Sequence, residues 1–206
     1  MLEELGSLPA PVLGLEEYKE DFRRHFWVAD VTWRLERGLT FREPGSPSWV
    51  AMRGGDWDGA LRLAEGMRAG RVEHQRALDR RGIVQRRVRF VCEPLTAYLQ
   101  WELHVLTIWA ELGEQITVLP TAAVAHLEAR EELPEVLILG ERVASPVMYV
   151  IQYSAGVLSG ARRFVDRELI EVCRREVAAL WRCGEDILRY FPRRIESLPP
   201  PDVREE

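Results

Sequence analysis

Apolar and polar residues alternate from Val31 to Glu36 (VTWRLE), the period of a half-buried strand. Gln85–Val91 and Gln115–Leu119 read as two further strands. Glu135–Leu139, Val147–Tyr153 and Leu158–Val165 follow as three short strands in an antiparallel meander, with Ala144-Ser145-Pro146 interrupting its first link. Helical spacing covers Leu15 to about Phe26. A second helix is expected from Trp57 to about Asp79, capped by Asp56 behind the Gly54-Gly55 break and weakened by Gly66 and Gly70. Pro94–Leu112 is expected as a buried helix closed by Gly113, Thr121 as the cap of a short helix to about Arg130, and Asp166 as the cap of a last helix to about Tyr190. Phe41–Trp49 (FREPGSPSW) reads as a turn-rich loop. The fold class is therefore α/β (mixed α+β): one mixed sheet with a β-α-β middle, a C-terminal antiparallel meander and a closing helix. Residues 1–14 are expected as a loose lead-in, 15–191 as a single globular domain and 192–206 as a Pro-rich tail.

Composition narrows the chemistry. With 206 residues, 47% of them hydrophobic, the chain can bury a sizeable core. Its net charge of −5 gives no general attraction to nucleic acid or anionic membrane. The first twenty residues lack the basic and apolar regions of a signal peptide, and no apolar run is long enough to span a bilayer, so a cytoplasmic location is expected. Cys92, Cys173 and Cys183 read as reduced core cysteines. Of the 28 Lys+Arg, only Lys19 is a lysine, and it lies in the acidic run EEYKED. That disfavours a Walker-type P-loop and Schiff-base chemistry, both of which need a lysine in a particular setting. His25, His74, His104 and His126 are scattered, so no metal and no cofactor are expected.

The candidate chemistry lies in RRVRFVCEPLTAYLQWEL, from Arg86 to Leu103. At about 100° per residue, Glu102 falls on the apolar face of its helix, one turn from Tyr98, Leu99 and Leu106. Gln100, His104, Thr107 and Glu111 fall on the opposite side. An unpaired buried carboxylate costs several kcal/mol, so Glu102 must be paired, protonated or lining a cavity. Arg87 and Arg89 share one face of the preceding strand, and Arg34 or Arg42 are further partners. Three readings stay open. Glu102 is a structural pin to an arginine with Tyr98 as an added donor, or it is the floor of a pocket in which Glu102, Tyr98 and an arginine bind a polar ligand, or it is a catalytic acid or base. Glu93, at the strand's C-terminal end, is a second candidate because ligand sites in α/β sheets favour such ends.

From Arg68 to Arg89, eight arginines face only Glu73 and Asp79. A solvated helix face is the leading reading; an acidic protein partner comes next and nucleic acid last.

TWRLE (Thr32–Glu36), EPGSPSW (Glu43–Trp49), GDW (Gly55–Trp57), RVRFVCEPLTAYLQWEL (Arg87–Leu103) and ILGERV (Ile138–Val143) together resemble an actinobacterial family of unknown function. The similarity runs from about Tyr18 to Phe191. The resemblance implies a gene neighbourhood beside helix-turn-helix regulators, and hence a regulatory accessory role with such a regulator as protein partner. A weaker likeness in element order is to half of a phospholipase D-like domain, whose His and Lys motif is absent from this hairpin. The expected function is a non-enzymatic accessory protein, with a small polar ligand near Glu102 as an added possibility. The alternative is an enzyme of nucleotide or phosphoester metabolism using Glu93, Glu102 and arginines. Self-association is left open.

Overall fold

The computed structural model describes residues 1–129 and 131–203. Eight strands among them form one mixed sheet: β1 (Val12–Gly14), β2 (Val31–Glu36), β3 (Val84–Val91), β4 (Gln115–Pro120), β5 (Val136–Leu139), β6 (Val147–Ser154), β7 (Val157–Phe164) and β8 (Glu185–Asp186), in the order β1-β7-β6-β5-β2-β3-β4-β8. β2, β3 and β4 are mutually parallel, and every other pairing is antiparallel. The β-α-β middle is β3, the helix α5 (Ala97–Glu111) and β4; the meander is β5-β6-β7; α6 (Arg167–Cys183) follows it. The fold class expected from the residue pattern is thus the one observed.

Alternation along the strands gives the sheet two unlike faces. On one face Trp33, Leu35, Val88, Phe90, Ile138 and Met148 pack against Ile170, Cys173 and Val177 of α6. The other face is divided. Helix α1 (Leu15–Phe26) lays Tyr18 and Phe26 over Leu137, Leu139 and Tyr149. Helices α5 and α7 (Ile187–Arg194) lay Leu99, Leu103, Leu106 and Ile187 over Val91, Ile116 and Val118. Between these patches β2 and β3 place Arg34 beside Arg87 and Glu36 beside Arg89 in register. The centre of this face is therefore charged where its flanks are apolar.

Several elements differ from expectation. The loop at Phe41–Trp49 contains the start of α2 (Pro47–Arg53): Ser46 Oγ accepts from Trp49 N, and Pro47 sits in the first turn, where its missing N–H is harmless. The helix expected over residues 57–79 is two, α3 (Trp57–Gly66) and α4 (Arg68–Asp79), broken where Gly66 lowers helix propensity. α6 ends at Cys183. Gly184 turns to extended backbone there, its missing Cβ avoids a 2.7 Å approach to Thr117, and β8 and α7 replace the expected run to Tyr190. Thr121 opens only a short 3-10 turn, Thr121–Val124.

The termini also differ. Leu2 and Leu5 are buried in the α6-side core, Leu2 N donates to Glu176 Oε2 at 2.9 Å, and β1 pairs with β7, so the lead-in is packed. That pairing needs Gly160, whose φ of +156° and missing Cβ admit Leu13 O. Pro192, expected to end the ordered chain, lies inside α7, and Gln100 Nε2 donates to Pro199 O. Gln100, expected on the open side of its helix, is buried because this tail covers it. Arg130, the expected helix end, and tail residues 204–206 lie outside the described residues. No helix among the described residues is long and apolar enough to cross a membrane.

Candidate functional site

Arg89 is fully buried, and its partner is Glu102: Nε donates to Glu102 Oε2 at 2.6 Å. Its Nη1 donates to the backbone oxygens of Glu36, Gly38 and Phe90 at 3.2, 2.6 and 3.2 Å. Three carbonyls and a carboxylate thus replace the water around Nη1 and Nε, while Nη2 is buried without a hydrogen-bond partner among the described residues. Arg87, on the same strand face, donates through Nε to Glu114 and through Nη1 to both oxygens of Glu36. Arg34 Nη1 also reaches Glu36, at 3.2 Å. Burial opposes the charge on Glu36, but Arg87, Arg34 and Arg89 together hold its carboxyl down to about 2.

Glu102 uses its two oxygens differently. Oε2 is pinned by Arg89, while Oε1 lies 3.0 Å from Tyr98 Oη, which also lies 2.7 Å from Glu43 Oε1. A tyrosine hydroxyl carries one hydrogen. It donates to one carboxyl, so the second contact is favourable only when a proton sits on the other side of it. Burial pushes the carboxyls of both Glu43 and Glu102 up, and pushes Tyr98 well up too, with Glu102 adding to the effect. Glu43–Tyr98–Glu102 is therefore a short hydrogen-bonded chain with one hydroxyl hydrogen between two carboxyls.

This chain lines a cavity of about 540 Å³ between α5, the Phe41–Pro47 segment and the charged centre of the sheet. Arg34, Glu36, Arg87, Tyr98 and Glu102 all line it. Phe41 and Tyr153 stack at 4.5 Å in its wall, and Trp101 and Trp109 line it as well. A recess of about 100 Å³ shares Arg34, Glu36, Tyr153 and Leu158 and reaches Glu135. Burial, with Glu36 nearby, raises the Glu135 carboxyl to about 7, although it accepts from the backbone N–H groups of Arg37 and Gly38.

Five of the six candidate residues (Glu102, Tyr98, Arg89, Arg87 and Arg34) meet in this one network. Glu93 does not. It pairs with Arg194 and lines a different cavity at the ends of β3 and β4. Glu102 both pairs with Arg89 and lines the cavity. Glu36, Glu43, Glu114 and Glu135 were not picked out. Glu36 was accessible from the two-residue period that puts it on the same face as Arg34, whereas Glu43 lies in a loop without any period.

The arginine-rich segment is largely spent on internal contacts. Arg71 pairs with Glu114 and lies over Trp109, Arg86 lies over Trp33 and Trp181, and Arg68 pairs with Glu65 and Glu111. Arg76, Arg80 and Arg81 are exposed, as a solvated face requires. Of the cysteines, all free, Cys173 is buried and its thiol raised to about 11 by burial, but Cys183 is exposed because it closes α6 at the surface. Among the described residues no cluster of three or more His, Cys, Asp or Glu is arranged to hold a metal ion.

The arrangement offers a ligand both signs of charge and aromatic walls. No curated protein matches the chain. Residues 20–192 match the model of the family described as "Domain of unknown function (DUF6879)", and the chain belongs to that family.

Proposed function

We propose that this chain is a regulatory accessory domain that binds a small polar ligand in the cavity beside Glu102 and acts through a helix-turn-helix transcriptional regulator. The observation that carries the ligand is the cavity itself. Its volume of about 540 Å³ lies within the range of small-molecule sites, roughly 300–1,000 Å³, and a few convergent polar groups break its apolar lining. The regulatory role and the partner are supported by the family resemblance of the sequence. The alternative enzyme reading needs Glu93 and Glu102 at one site, and they line different cavities.

Two experiments test this reading. Thermal-shift screening of a polar metabolite library should yield stabilising compounds whose effect is lost in Leu158→Trp, which fills the cavity wall. A library with no such compound removes the ligand. Co-purification of the tagged chain from its host should recover a DNA-binding regulator, and repeated recovery without one removes the partner.

A further inference from the structure

We infer that the ligand of the large cavity is amphoteric: a protonated amine that donates to Glu43 and Glu102, on an apolar or aromatic body that also carries an anionic group for Arg42 or Arg34. The inference rests on the ligand-binding reading above and names the chemistry of that site.

The amine end follows from the hydrogen count. Two carboxyls, Glu43 and Glu102, share the single hydroxyl hydrogen of Tyr98, at 2.7 and 3.0 Å. An ammonium group supplies the missing donors without a proton on either carboxyl. Glu36, the other carboxylate in the lining, already accepts from Arg34 and Arg87. Glu102 cannot turn away, because Arg89 holds its second oxygen. The anionic end follows from Arg42. It lines the cavity, sits beside Glu43 in the chain, and its guanidinium makes no hydrogen bond or ion pair among the described residues. The Phe41–Tyr153 stack, Trp101 and Trp109 supply faces for the body between the two ends.

The groups facing Glu43 and Glu102 are Arg34 and Glu36 from β2, Arg87 and Arg89 from β3, Tyr98 from α5, Tyr153 from β6 and Arg42 from the loop, with Glu135 in the adjoining recess.

Calorimetry on the full chain with three probes of one ring separates the cases: tryptophan as zwitterion, tryptamine as cation and indole-3-acetate as anion. Tryptophan should bind best and tryptamine next, and Glu43→Gln, whose side-chain partner is Tyr98, should weaken both by about tenfold while leaving the melting temperature close to that of the parent. Tightest binding of indole-3-acetate, or amine binding indifferent to Glu43→Gln, overturns the inference. Metabolite hits lost in Leu158→Trp but without an amine overturn it too and leave the ligand-binding reading standing. Absence of any such hit removes both.

Discussion

Replacing Glu102 by Gln tests the charged centre of the sheet most directly. The substitution keeps size and an acceptor oxygen but leaves the cation of Arg89 without its counter-charge at a position with no solvent exposure. Removing one partner of a buried pair costs about 3–5 kcal/mol. The three carbonyls on Arg89 Nη1 remain and solvate part of the charge, so the lower end, about 3 kcal/mol, is expected. With a urea slope near the top of the usual range, about 3 kcal/mol/M for a chain of this size, the midpoint should fall by about 1 M. Arg89→Met should cost more, about 4 kcal/mol, because Glu102 loses its counter-charge and those carbonyls lose a donor. The double variant removes the orphaned charge from both sides. It should cost less than the sum of the singles by about 2 kcal/mol, the coupling of a close pair. Urea unfolding of the four proteins at pH 7, followed by tryptophan fluorescence, gives the cycle. A loss below about 1 kcal/mol in Glu102→Gln, or strict additivity in the double variant, would refute the view that this pair locks α5 to β3.

Ser48 Oγ accepts from Trp101 Nε1 at 2.8 Å and donates to Ala60 O at 2.7 Å, all buried, so Ser48→Ala should cost about 1–3 kcal/mol in thermal unfolding; an unchanged midpoint contradicts the bridge. Glu135, raised to about 7, binds its proton more tightly folded than unfolded, so its contribution is fully present below the unfolded value near 4.5 and is lost as pH rises through about 7. Stability should therefore fall by up to about 1.4 kcal/mol per pH unit between pH 5 and 7 from this group, and Glu135→Gln should flatten the curve; equal slopes in both proteins exclude it. Gly160→Ala brings a Cβ within 2.2 Å of Leu13 O at a φ few side chains adopt, and should detach β1 at a cost of about 2 kcal/mol. Faster proteolysis near residues 6–14 is the readout, and parental resistance contradicts it.

The parts of this molecule legible in its sequence are those governed by local periodicity. The two-residue alternation of β2 and β3 and the glycine or aspartate ends of α5 and α6 announce themselves, and so does Glu102 on an apolar helical face. The elements that escaped are decided by distant contacts. Leu2 and Leu5 belong to no periodic run and are ordered by the groove beside α6. Gly184 sits where Thr117, far away in the chain, leaves no room for a side chain. The site divides the same way. Arg87 and Arg89 share a strand face that spacing alone identifies, but the choice of Arg89 over Arg34 as partner of Glu102 depends on how α5 sits over β3. Glu43, brought to Tyr98 across 55 positions by a loop, carries no local signal at all.

The sheet runs out at both sides in its shortest strands, β1 with three residues and β8 with two. A neighbouring chain that tried to extend the sheet would find only a few backbone donors and acceptors in line, too short a template to hold a register. β1 is followed directly by α1, and β8 directly by α7. An assembly built from this fold is therefore expected to form through side chains on its helices and cavity rim, not by stitching sheets together, and concentrated solutions should resist fibrous aggregation while the strands at both margins stay in place.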